Sequence, residues 1–175
     1  ANGRTTEKLR IVSRNQQLVR ADFETRPTAE LLAQSVADYR DISRGVDSIV
    51  ISDYGKGGLT HIEEMIQVAK DQLTPVIVDP KGVDYSRYRG ATLVTPNRDE
   101  FALATGVAPG DPAFFETAHE LVRSAQLSGL LVTRGEEGMT LFLSDGEVLH
   151  QDAVALEVFD VSGAGDTVVA IIAVG

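Results

Sequence analysis

The sequence predicts an α/β fold, a mostly parallel sheet flanked by helices and preceded by a β-hairpin. Three observations carry this reading. The runs SIVIS (48–52), PVIVDP (75–80), ATLVTP (91–96) and GLLVTR (129–134) are short, rich in β-branched residues and continuously apolar, as strands buried on both faces are. Segments of helical period lie between them, the alternation expected of crossover connections. The first two dozen residues instead alternate with period two, as a hairpin does.

Taken in order, Leu9 to Val12 and Leu18 to Phe23 read as strands joined through Arg14-Asn15-Gln16. Val19, Ala21 and Phe23 fall on one face and Arg20 and Asp22 on the other, so one face of the hairpin is expected to be covered. Leu32, Val36 and Tyr39, set between Pro27-Thr28 and Gly45, give an amphipathic helix. The Thr60-x-x-Glu63 spacing reads as a capping box opening a helix that buries Ile62, Met65, Ile66 and Ala69. Helices follow near 98–105 and 112–127, then a hairpin of Met139 to Leu143 and Glu147 to Gln151. The chain finishes in a glycine-rich turn, DVSGAGD (160–166), and an apolar helical run from Thr167. The abrupt polar start and the uncapped last helix suggest a chain cut at both ends.

Composition narrows the function. A net charge of −10 argues against a general nucleic-acid binder, which needs a basic face to displace counterions. The charge is segregated: Arg4, Lys8, Arg10, Arg14 and Arg20 against Glu7 give residues 1–20 a charge of +4. With no cysteine, disulfides, thiolate metal sites and cysteine nucleophiles are excluded. His61, His119 and His150 are scattered and receive no role. The longest apolar run, Val168 to Val174, is far below the roughly 18 residues of a membrane span, and no signal peptide is evident, so a soluble protein is expected.

In open α/β sheets, ligands sit beyond the carboxyl ends of the strands. The loops there are SDYGKGG (52–58, with Asp53), DPKG (79–82), TPNRDE (95–100), TRGEEG (133–138) and DVSGAGD. No Walker A loop and no G-x-G-x-x-G after the first strand occurs. Gly163, Ala164 and Gly165 enter a helix, and bare N–H groups at such a helix start form an anion hole. Asp166 beside it is placed to take a proton from a hydroxyl attacking a γ-phosphate. On spacing alone the same segment reads no less well as a glycine turn with an acid in the first helical turn. Asn97-x-x-Glu100 is either a capping box or a contact to magnesium-bound water and phosphate. Gly135 and Gly138 either make a plain turn or let backbone approach a nucleotide phosphate. Lys56 reads as a solvated chain end; for Lys81 a phosphate contact is as good a reading.

DVSGAGDT (160–167), following TPNxxE and TRGxxG in that order, resembles the ribokinase-like, phosphofructokinase-B-type carbohydrate kinases. KLRIVSRNQQLVRADFE (8–24), SDYGKG (52–57), DPKGVDYSRYRGATLVTPN (79–97) and LLVTRGEEGMTLF (130–142) resemble the kinase domain of bacterial ADP-heptose synthases within that family. The resemblance implies ATP-dependent phosphorylation of the anomeric hydroxyl of D-glycero-β-D-manno-heptose 7-phosphate, with ATP and Mg2+, in a bacterial cytoplasm. Carried over by position, Asp166 is the base and Gly163, Ala164 and Gly165 the anion hole. Asn97, Glu100, Thr133, Gly135, Gly138 and Lys81 fall on the ATP and magnesium side. Asp160 and Ser162 fall where some relatives bind a monovalent cation such as K+. Residues 8–24 match a β-lid that also forms a homodimer contact, with Arg10, Arg14, Asn15 and Asp53 toward the sugar phosphate, and 28–175 match the nucleotide-binding core. By the same resemblance, residues 1–175 are a single partial kinase domain, inactive alone and associated in bifunctional members with an adenylyltransferase domain. Other readings are a kinase for another sugar or a nucleoside, or a non-catalytic nucleotide-binding or dimerisation module.

Overall fold

The computed structural model describes residues 7–13, 16–153 and 163–174. Strand β1 (Glu7–Ser13) pairs antiparallel with β2 (Gln16–Phe23), slipping register between Ile11 and Val12. The antiparallel pairing is as expected, but the covered face is not: Leu9, Ile11, Val12, Leu18, Val19 and Phe23 are all at least half exposed. Past the end of β2, Glu24 forms an ion pair with Lys56, whose Nζ also lies 3.9 Å from Asp22 Oδ2. Lys56 thus ties the hairpin to the loop at 53–61 and is not the solvated end its glycine neighbours suggested.

Helix α1 (Ala29–Ile42) begins where Thr28 Oγ1 accepts the Leu31 N–H at 3.3 Å, and it buries Val36 and Tyr39. It packs on α2 (Ile62–Asp71), with Arg40 and Glu64 paired at 3.1 Å. The capping box expected at Thr60 is not formed. Its hydroxyl donates to the Gly57 carbonyl at 2.8 Å, and α2 starts without a side-chain cap. The inward face is nonetheless the expected one, with Ile62, Ile66 and Ala69 buried and Val68 beside them.

The main sheet has six strands in sequence order: β3 (Ile49–Ser52), β4 (Val76–Asp79), β5 (Leu93–Val94), β6 (Gly129–Thr133), β7 (Met139–Leu143) and β8 (Val148–Gln151). The first four are mutually parallel, and β7 pairs antiparallel with both β6 and β8. β5 is short; Thr95 N–H still reaches Val78 O at 2.9 Å, but Pro96 has no N–H with which to continue the ladder. On one face Val76, Val78, Val94, Leu130 and Val132 meet Ile66, Phe101, Phe114, Val122 and Phe142, each 2% exposed or less. The Phe114 ring stands edge-on to Phe101 and Phe142 at 5.2 and 5.4 Å, the arrangement aromatic quadrupoles favour.

Helices α3 (Arg98–Thr105) and α4 (Phe114–Ser124) follow β5, matching the two predicted stretches with α4 shorter at both ends. The other face is lined by Ile77, Leu93, Leu131 and Leu141. With Val168 and Ile172 of α5 (Ala164–Val174) they bound an apolar cavity of about 770 Å³. α5 is held to the sheet by buried Val169 and by Ser48 Oγ donating to the Ala173 carbonyl at 2.7 Å. No helix among the described residues is long and apolar enough to cross a membrane.

Candidate active site

The parallel strands β4 and β6 end in Asp79 and Thr133, Asp53 directly follows β3, and Asn97 is bridged to Thr133 beside them. Packing of α5 on β3 and β4 sets its first turn near the same edge. Gly163, at φ +80°, turns the chain into α5, a conformation costly for any residue with a Cβ. Its carbonyl accepts both Thr167 N–H and Thr167 Oγ1 at 2.9 Å, so the first turn is closed and leaves N–H groups at its start free of helix partners. Gly165 and Asp166 are exposed there, and Asp166 borders an open hollow with Thr167 and Ala170. Ala164 opens the helix. Asp160, Ser162, Arg14 and Asn15 lie outside the described residues.

Asn97 and Glu100 form a complete capping box. Asn97 Oδ1 accepts the N–H groups of Asp99 and Glu100 at 2.9 Å, and Glu100 Oε2 accepts the Asn97 N–H at 3.1 Å. The other Glu100 oxygen, Oε1, takes Lys81 Nζ at 2.9 Å. The cap therefore aims Glu100 at the loop after β4, and Lys81 is held protonated above its ordinary range by that hydrogen bond and charge.

Sequence reasoning passed over Asp79, the last residue of β4. Burial, and then the negative charges of Glu100 and Asp166, push its carboxyl from 3.8 up to about 6 against the pull of Lys81. Asp79 and Glu100 thus share the Lys81 ammonium, and Asp166 adds its charge on the Asp79 side. Among the described residues no group of three acidic or histidine side chains is disposed to cage a metal unaided. Such a donor set suits Mg2+, which keeps most of its waters and binds through one or two carboxylates and substrate phosphates. Asp79 and Glu100, beside capped Asn97, are the residues that fit that duty.

Asp53 is not open to a ligand. It is 5% exposed; Oδ1 accepts Gly55 N–H at 2.7 Å, and Oδ2 accepts the Tyr88 hydroxyl at 3.0 Å with Arg87 Nη1 3.4 Å away. Its surroundings differ from those expected of a sugar contact, because Tyr88 and Arg87, 35 and 34 residues on, take up the carboxylate. The signal for this was the Tyr/Arg-rich connection YSRYRG.

Thr133 donates its N–H to the Pro96 carbonyl at 3.0 Å, and Gly135 turns the chain at φ +65°. Gly138 has a local reason to be glycine: a Cβ there would sit 2.0 Å from Gln151 O and 2.8 Å from Ala153 N. Arg134, over the Phe114 ring at 5.4 Å and paired with Glu137, anchors this turn to the core. Arg10 stands on the exposed hairpin opposite Arg20, outside the group at the strand ends. Among the histidines, His150 Nδ1 lies 2.9 Å from Thr140 Oγ1, and His119 packs edge-on against Phe142.

A pfkB family carbohydrate kinase model matches residues 2–175. The bifunctional protein HldE of Hydrogenovibrio crunogenus is 49% identical over 173 residues, covering 95% of this chain and 35% of that protein. The chain spans about a third of the length of the curated relatives it matches. Among solved structures, phosphofructokinase-2 from Escherichia coli in complex with potassium matches with a TM-score of 0.70 at 20% identity, over 89% of this chain and 53% of that one. Arabidopsis thaliana ribokinase complexed with ribose and ATP matches at 0.59 and 19% identity, over 88% and 53%. These two share the fold. With the family model running through nearly every residue, the chain belongs to the pfkB family of carbohydrate kinases.

Proposed function

We propose that this chain carries the kinase site of an enzyme that phosphorylates the anomeric hydroxyl of D-glycero-β-D-manno-heptose 7-phosphate, giving the 1,7-bisphosphate and ADP. The observation that carries the reading is Asp166 in the first turn of α5, behind a left-handed glycine and close enough to the end of β4 to raise Asp79. Family membership supplies the reaction class, and the relatives named HldE, with the hairpin and DPKG segments, supply the sugar. ATP is the donor by analogy with the ribokinase complex.

In this mechanism Asp166 takes the proton of the sugar hydroxyl as its oxygen attacks the γ-phosphorus, and the bond from that phosphorus to the bridging oxygen of ADP breaks. The N–H groups of Gly163, Ala164 and Gly165 hold the equatorial oxygens, where charge is spread in the transition state. Lys81, oriented by Glu100, meets the phosphates from the β4 side. Bound Mg2+ would neutralise phosphate charge, and Asp79, Glu100 and capped Asn97 would hold its water shell. Thr133, Gly135 and Gly138 form the nucleotide-side loop. Asp160 and Ser162 would take a monovalent cation, as the potassium complex of a fold relative suggests. Arg10, Arg14 and Asn15 on the lid would meet the 7-phosphate, with Asp53 setting the loop beneath it. The exposed apolar hairpin would pair with a second copy in a homodimer, and a fused second catalytic domain fits the bifunctional relatives.

The test is ADP release by the full-length protein with Mg-ATP and a panel of sugars and sugar phosphates. Turnover confined to heptose 7-phosphate is expected. Preference for ribose, a fructose phosphate or a nucleoside would overturn the substrate and keep the family.

A further inference from the structure

The loops after β3 and β4 are joined by one buried phenol. Tyr88 is fully buried, and its hydroxyl lies 3.0 Å from Asp53 Oδ2 and 3.0 Å from the Lys81 carbonyl while accepting the Lys81 N–H at 3.0 Å. It has one proton, and the carboxylate is the stronger acceptor. Asp53 is itself fixed: its N–H donates to the Asp79 carbonyl at 2.9 Å, and Arg87 beside it also donates to the Leu59 carbonyl at 2.8 Å. The two loops are in contact, since a Cβ on Gly55 would meet Lys81 Cγ at 3.5 Å. A residue of the core therefore sets the backbone of a residue whose ammonium sits at the site.

We infer that Tyr88 is a positioning residue for the phosphate-side loop: by clamping the Lys81 backbone against Asp53 it sets the Lys81–Glu100 pair where a nucleotide phosphate is received. The inference rests on the proposed reading of Lys81 and Glu100. Tyr85 supplies an internal control. Its ring stands edge-on to Tyr88 at 5.6 Å and is equally enclosed, yet among the described residues its buried hydroxyl has no hydrogen-bond partner.

Tyr88→Phe, Tyr85→Phe, Lys81→Met and the Lys81→Met/Tyr88→Phe double variant of the full-length protein decide the matter. Tyr88→Phe should raise KM for Mg-ATP about ten-fold with a smaller change in kcat, and Tyr85→Phe should not. In the Lys81→Met background Tyr88→Phe should add less than about two-fold, because the two changes act on one element. Independently of turnover, hydrogen exchange at the Lys81 amide should quicken about ten-fold or more in Tyr88→Phe while the Val78 amide is unchanged. Unchanged exchange at Lys81, or losses that multiply in the double variant, would overturn the positioning role. A wild-type protein that turns over no sugar would refute the kinase reading, and the exchange measurement would still decide whether Tyr88 holds the loop.

Discussion

Asp79→Asn gives a quantitative test of the electrostatics at the strand ends. Burial and the charges of Glu100 and Asp166 raise the Asp79 carboxyl from 3.8 to about 6, so the folded protein binds this proton more tightly than the unfolded chain. The stability it contributes is fully present below about pH 3.8 and is lost as the pH rises through about 6. At face value the rise is worth about 3 kcal/mol. The carboxylate is only partly buried, and solvent screening reduces the expected effect to about 1–2 kcal/mol. Asparagine keeps the shape and cannot ionise. Chemical denaturation at intervals between about pH 4 and 7.5, followed by far-ultraviolet circular dichroism because the chain has no tryptophan, gives the stability difference between variant and wild type. That difference should move in favour of Asp79→Asn by about 1–2 kcal/mol from the acid to the neutral end, most of it between about pH 4 and 6. A difference that is flat with pH, or that moves toward the wild type, would show that burial and the neighbouring carboxylates do not raise Asp79.

Other outcomes follow from local geometry. Asn97→Ala removes the acceptor for two N–H groups at the start of α3 and should cost about 1 kcal/mol in a thermal or denaturant melt, while the Glu100 carboxylate keeps the residue 97 backbone N–H and Lys81. Gly138→Ala places a Cβ 2.0 Å from Gln151 O at φ +79° and should cost at least about 2 kcal/mol; a neutral effect would show that the β8 end is not packed against this turn.

The parallel core was legible because β4 and β6 are buried on both faces and so are apolar at nearly every position. The capping box at Asn97 was legible as one of two readings, and both of its hydrogen bonds form. The same signature at Thr60 failed because its hydroxyl donates within its own turn, a competition that spacing does not reveal. Period two identified the hairpin without revealing whether anything packs on its apolar residues. At the site, Gly163 and Lys81 announced themselves by glycine turns and loop position. Asp79 did not, since a lone acid ending a strand has no pattern, and its perturbation arises from Glu100 and Asp166, 21 and 87 residues away. The Tyr88–Asp53 contact is likewise set by tertiary packing, not by any local repeat.

The proposed phosphoryl transfer turns on Asp166 as its base. The most direct measurement compares wild type and Asp166→Asn for kcat on the preferred sugar phosphate and for Mg-ATP affinity by calorimetry. Asp166→Asn should lower kcat by about three orders of magnitude or more with ATP affinity within about three-fold, the signature of a group acting in the transition state. Retained turnover, or a loss of ATP binding as large as the loss of rate, would contradict it.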